Sequence, residues 1–246
     1  MFGEIRTSSK LPRNRVPSNP RVSYDGQYWW LSVGFRELFE PQNLTNEIIG
    51  VDVGIKDLFV ASNEMSERNI NKDAKVKKLM KRKKSAQKEM SRRFVTDSKI
   101  QLNNYKKAKK ENLRLSRKLT NIRNSHIHQA TNKLVKAKPS KIVVEDLKIT
   151  NLMKNKKLSK AFAYQKLNMF FNCLKYKCAK YGIEYVKADK WFASSKLCSC
   201  CGEIYDHTVQ TEGQWSLKIR KWTCVHCNSN HDRDLNASIN LSRWVK

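Results

Sequence analysis

Two Cys-x-x-Cys pairs constrain this chain more than any other feature: Cys198 and Cys201 form one, Cys224 and Cys227 the other, with 22 residues between them. Tetrahedral Zn²⁺ takes four soft ligands, and the two-residue spacing lets both thiolates of a tight turn converge on one ion. Such a knuckle needs a residue tolerant of positive φ directly after its second cysteine. Gly202 supplies one, and Asn228 is the next best choice for the other. Cys200, next to Cys201, is expected to point away. Four thiolates leave no open coordination position, so the zinc is read as structural, and binding of the order of 10 kcal/mol suffices to fold a short segment with little core.

Compartment and partners follow from what surrounds these cysteines. No apolar run approaches the ~20 residues of a membrane span, and the N-terminus lacks the apolar segment of a signal peptide. A cytoplasmic protein is therefore expected, with no membrane partner, and in a reducing compartment paired cysteines mean metal before disulfides. Fifty Lys+Arg against 22 Asp+Glu give a net charge of +28 over 246 residues. A bias of that size speaks to nucleic-acid phosphates rather than to a small-molecule substrate.

Much of the charge is concentrated. Between Lys75 and Lys138 there is no Gly or Pro, and 22 Lys+Arg face only Glu89, Asp97 and Glu111. Two long basic helices are expected, with a break near Phe94–Ser98 and Asp97 or Ser98 as N-cap. Leu115, Leu119, Ile122, Ile127, Ala130, Leu134 and Ala137 keep helical spacing and turn one face to a core. The opposite face is read as contacting phosphate.

Around this pair the pattern is α/β. SYDGQYWWLSVGF reads as a hairpin about a DG turn, NEIIGVDVG as a buried strand, and Leu58–Ala61 as a second strand. KIVVEDLKI reads as a further buried strand, residues 160–181 as one helix ended by Gly182, and IEYVKADKWF as another strand. Setting the cysteine segment aside as an insert leaves three acids at suggestive places: Asp52 in VDVG, Glu145 ending IVVE, and Asp234 opening the last helix. Side chains alternate along strands, so Asp52 and Glu145 face one way while Val51, Val53 and Asp146 face the other. Carboxylates at neighbouring strand ends repel without a cation, and Mg²⁺ removes that repulsion while serving phosphodiester hydrolysis.

GVDVGIKDLFVASN, IVVEDLKI, KADKWFASSKLCSCCG and CVHCNSNHDRDLNASINL together resemble the C-terminal part of the TnpB proteins of bacterial insertion sequences. These are RNA-guided DNA endonucleases, long described as transposases and related to miniature type V CRISPR effectors. The similarity runs from about Tyr24 to the end. It implies an RNase H-like RuvC nuclease fold with an inserted zinc ribbon and a long basic helical hairpin. It also implies catalytic acids at Asp52, Glu145 and Asp234 holding Mg²⁺, with Asp234 rather than Asp232 as the third, leaving Asp232 free to cap the last helix. The implied partners are a guide RNA and target DNA, with base pairing reading sequence. The implied domains are a wedge-type β remnant over 1–46, a nuclease domain over 47–197 and 228–246 with its basic hairpin at 73–138, and a target-nucleic-acid-binding ribbon over 198–227. Family members carry a recognition lobe and most of a wedge domain ahead of the nuclease, so this chain is expected to be N-terminally short. The competing expectation is a non-catalytic zinc-ribbon remnant that still binds nucleic acid. A transposase in the strict strand-joining sense lacks any Tyr-based or synaptic machinery here.

Overall fold

The computed structural model describes residues 7–12, 14–25, 27–36, 39, 42–95, 102–204 and 219–244. Two compact units share the chain: Met1–Phe39 with Lys83–Arg117, and Glu40–Arg82 with Lys118–Lys246.

In the first unit the hairpin forms as the aromatic and β-branched residues predict. Strand β1 (Pro17–Tyr24) pairs antiparallel with β2 (Trp29–Phe35) from Pro17↔Phe35 to Tyr24↔Trp29. Gly26 of the expected DG turn lies outside the described residues, but Asp25 closes the turn. Its carboxylate accepts from the amides of Gln27 and Tyr28 and from Trp30 Nε1. Arg117 then binds Asp25 at 2.8 Å and lays its guanidinium over the Tyr28 ring, tying a helix to the hairpin.

The two basic helices are α1 (Ala74–Arg92) and α2 (Asn103–Lys136). The break between them is where the sequence put it, although the expected caps Asp97 and Ser98 lie outside the described residues. Of the predicted apolar face, Leu115, Leu119, Ile127, Ala130 and Leu134 are buried.

The second unit is built on one mixed sheet of order β5-β4-β3-β6-β7. β3 (Ile48–Val53), β4 (Asp57–Ala61) and β5 (Ser66–Arg68) are antiparallel neighbours. β6 (Lys141–Glu145) and β7 (Glu184–Ala188) continue the sheet in parallel, in the register Ile48↔Lys141 to Val51↔Val144 and Lys141↔Glu184 to Glu145↔Ala188. Strands β3 and β6 are almost continuously apolar because both faces are covered. Ile49, Val51, Ile142 and Val144 pack with Ile127, Ala130, Leu134, Phe170 and Leu174 on one face. Val143 and Ala188 pack with Leu241 on the other. The short β5 was not expected.

One expectation needs correction. The helix predicted for residues 160–181 is two helices, α4 (Ser159–Gln165) and α5 (Leu167–Tyr181), preceded by a short α3 (Ile149–Lys154). The break is at Lys166, whose backbone is left-handed at φ 53, ψ 44. Nothing in the local sequence announces it, since Lys is not a residue that favours this conformation. Gly182, also left-handed at φ 75, caps α5 as predicted. The chain ends with β8 (Lys221–Thr223), β9 (Asn230–Asp232) and α6 (Arg233–Ser242).

Candidate functional site

Strand register places the first two acids. Val51 lies opposite Val144 in the parallel pair, so Asp52 and Glu145 are the next residues along on neighbouring strands. Alternation turns them to the face that carries Gly50 and Val143, the face covered by α6. Gly50 is what lets α6 lie there. A Cβ at this position would overlap the backbone of Ser238, Leu241 and Ser242. The seated helix presents its first turn, with Asp234, to the same end of the sheet. Asp232 is the N-cap, its Oδ1 accepting from the amides of Asp234 at 3.1 Å and Leu235 at 3.3 Å, so the neighbouring aspartates of DRD take separate structural positions.

Asp52 and Asp234 line a cleft of about 530 Å³ whose other walls include Leu152, Leu158 and Phe162. Glu145 lies beside Asp52 but not in that lining. Burial raises the Asp52 carboxyl well above the ordinary aspartate range, and the Glu145 and Asp234 carboxylates push it further, against the opposing charge of Arg233. Burial raises Glu145 as well. The Asp52 carboxyl thus sits buried among like charges, a cost that a cation could relieve, while the four cysteines are the metal-ligating group found among the described residues.

Two residues at this site carried no sequence signal of their own. Arg220 reaches both carboxylate oxygens of Asp234 at 3.1 and 3.2 Å, and Arg233 reaches Oδ1 at 2.9 Å. Arg233 sat inside the DRD motif and Arg220 in the basic run before the second knuckle, indistinguishable from neighbouring cations. Asn236 and Asn240 also belong to none of the metal or acid motifs, and their only sequence signal is an i,i+4 spacing on one helix face. Both are buried and donate to the carbonyl of Leu197 at 2.7 and 2.6 Å, and Asn236 accepts from the amide of Ser199. They fasten the first knuckle to α6.

The four cysteines Cys198, Cys201, Cys224 and Cys227 come together, their sulfur atoms all within 4.8 Å of one another. Cys200 is outside this group, although its side chain interacts with Cys227 rather than pointing away as expected. The two knuckles repeat one geometry. Gly202 (φ 80) and Asn228 (φ 56) both have the positive φ expected of them, and each donates its N–H to the carbonyl of its knuckle's first cysteine at 2.9 Å. Sulfur separations of 3.7 Å for Cys198–Cys227 and 3.6 Å for Cys201–Cys224 match the roughly 3.8 Å edge of a tetrahedron with metal–sulfur bonds of about 2.3 Å. The donor set therefore fits zinc. His231 lies against it, its Nε2 3.1 Å from Cys198 Sγ and its ring 4.5 Å from that of Trp222. Since β9 carries His231 directly into the Asp232 cap, the cysteine cluster and Asp234 belong to one continuous piece of structure.

A family model described as "Probable transposase", the OrfB protein of IS605, matches residues 20–156, more than half of the chain. The chain belongs to the TnpB (OrfB) family. A second model, the TNB domain of Cas12f1-like proteins, matches residues 168–241 of this TnpB-family chain. A protein of Streptomyces pristinaespiralis, provisionally named an RNA-guided DNA endonuclease, is 33% identical over 239 residues, which are 97% of this chain and 55% of that protein. The TnpB-family chain thus spans about half the length of this curated relative. In fold it is similar to two solved structures. One is a CRISPR-Cas12f ternary complex, with a TM-score of 0.61 and 22% identity over 87% of this chain and 42% of that one. The other is a Cas12f1–sgRNA–target DNA complex, with a TM-score of 0.55 and 20% identity over 90% of this chain and 55% of that one.

Proposed function

We propose that this TnpB-family chain is the nuclease portion of an RNA-guided DNA endonuclease, with Asp52, Glu145 and Asp234 as its catalytic acids and a RuvC-like, RNase H-type sheet as its frame. The observation that carries this reading is the register of β3 and β6, which sets Asp52 beside Glu145 on the face that α6 covers with Asp234 at its start. The three acids would hold Mg²⁺, which when bound supplies Lewis-acid assistance to phosphodiester hydrolysis. Arg220 and Arg233 hold Asp234 and bring forked N–H donors to the cleft, the geometry that orients a phosphate through paired hydrogen bonds. The apolar wall of Leu152, Leu158 and Phe162 limits water at the reacting centre.

The remaining parts have supporting roles in the same reading. The lysines and arginines of α1 and α2 hold nucleic-acid backbone, and the guide RNA and target DNA supply sequence recognition by pairing. The knuckles of residues 198–227 form a structural zinc ribbon that contacts target nucleic acid, and its fastening to α6 by Asn236 and Asn240 makes its integrity a condition for placing Asp234. No helix among the described residues is long and apolar enough to cross a membrane.

Calorimetric titration of magnesium into the chain tests the metal assignment directly. Wild type is expected to bind it, and Asp52→Asn and Glu145→Gln to lose that binding while remaining folded. Undiminished binding in both variants would remove these acids from the site.

A further inference from the structure

We propose that Arg123 and Lys166 form a built clamp for a backbone phosphate of nucleic acid, set on the same hydrogen-bonded frame that holds the turn following Asp52. The proposal rests on the nucleic-acid reading above and adds a specific site to it.

The two side chains are half-buried and close enough that the charge of Arg123 disfavours the charge of Lys166, which burial already disfavours. Each is held by neutral partners only. Arg123 Nε donates to Asn71 Oδ1 at 2.8 Å and its guanidinium lies 4.3 Å from the centre of the Tyr164 ring; Lys166 Nζ donates to Asn124 Oδ1 at 2.7 Å. A third cation, Lys160, sits 5.8 Å from the same ring. Among the described residues no carboxylate forms an ion pair with any of the three. Like charges gathered in a partly desolvated place are costly unless an anion completes them.

The backbone at Lys166 points the same way. Its left-handed conformation costs of the order of 1–2 kcal/mol for a residue with a Cβ, and glycine would remove that cost. Strain retained at the residue that supplies the cation is the pattern of a functional position.

The frame beneath the clamp is polar and largely buried. Asn71 Nδ2 donates to the Tyr164 carbonyl at 3.1 Å, and buried Gln165, next to Lys166, donates to the Gly54 carbonyl at 2.9 Å. Asn69, also buried, accepts from the Asn71 amide and donates to the Ile55 carbonyl at 2.7 Å. Gly54 and Ile55 begin the turn that leaves Asp52, so a phosphate held by the clamp lies at a fixed position relative to the acids. The ligand chemistry is a phosphodiester, which DNA duplex, RNA–DNA hybrid and single-stranded DNA all present.

Fluorescence anisotropy of the full chain with each of these three labelled probes, across a salt series without added magnesium, tests the clamp independently of cleavage. Lys166→Gly removes the cation and relieves the backbone, so thermal stability is expected to hold or rise. On at least one probe the slope of log affinity against log salt falls by about 0.7–0.9, or about five- to eightfold weaker binding at 0.1 M salt. Lys166→Asn, which also tolerates the left-handed conformation, gives the same answer should the glycine variant fold poorly. The probe most affected identifies the nucleic acid. Unchanged slopes on all three probes with a folded variant overturn the clamp, whereas a wild-type chain that binds none of them overturns the nucleic-acid reading itself.

Discussion

Gly50 shows how one residue can decide a site several residues away. Its missing side chain lets α6 close against β3, and with it Asp234 reaches the sheet. Gly50→Ala is expected to cost about 1–3 kcal/mol as an overpacking substitution, read as a lower denaturation midpoint, and an unchanged midpoint would mean α6 is seated otherwise. The acids predict a pH effect of definite sign. A carboxyl whose folded value is raised favours folding while protonated and loses that contribution as pH rises through the folded value. For Asp52 and Glu145 the loss begins above their ordinary values of 3.8 and 4.5, so at pH 7 they burden the magnesium-free chain. Asp52→Asn is therefore expected to melt at a higher temperature than wild type without magnesium and to lose stabilisation by magnesium. A lower melting temperature would contradict this. That Asp52 and Glu145 lie toward the ends of strands and Asp234 at the start of a helix was legible because apolar runs mark those elements. Arg220 was not, because one arginine in a chain with 50 Lys+Arg carries no contrast.

At the scale of elements, the knuckles were fully legible, since spacing and positive φ are properties of a few consecutive residues. The division of α4 from α5 was not, because SKAFAYQKLNMFF contains neither Gly nor Pro and nothing local favours the left-handed backbone of Lys166. The zinc prediction belongs here. Cys224→Ser is expected to lose bound zinc, counted with a chromogenic chelator, and to lose amide protection across β8 and β9, whereas Cys200→Ser keeps both. Equal zinc in the two variants would contradict the four-cysteine assignment. The hairpin offers a second test. Arg117 holds the Asp25 carboxyl well below the usual carboxylate range, so Asp25→Ala is expected to speed amide exchange in β1 and β2 while leaving the zinc content unchanged.

For the molecule as a whole, the order of elements could be read from periodicity and turn residues, but the sheet order could not, since nothing local says that β6 joins β3 in parallel. That pairing sets Asp52 beside Glu145, and the family membership and the cysteine cluster agree with the sequence patterns that first suggested them. In the proposed reaction Asp52, Glu145 and Asp234 together cleave DNA with a divalent cation. Magnesium-dependent cleavage of single-stranded DNA by the purified chain, with each acid changed in turn to alanine, tests it most directly. Cutting is expected to depend on magnesium and to fall by more than about 100-fold in each of the three variants, the loss of several kcal/mol of transition-state stabilisation. Cleavage that survives Asp52→Ala or Glu145→Ala, or a wild-type chain that binds DNA without cutting it, would contradict it.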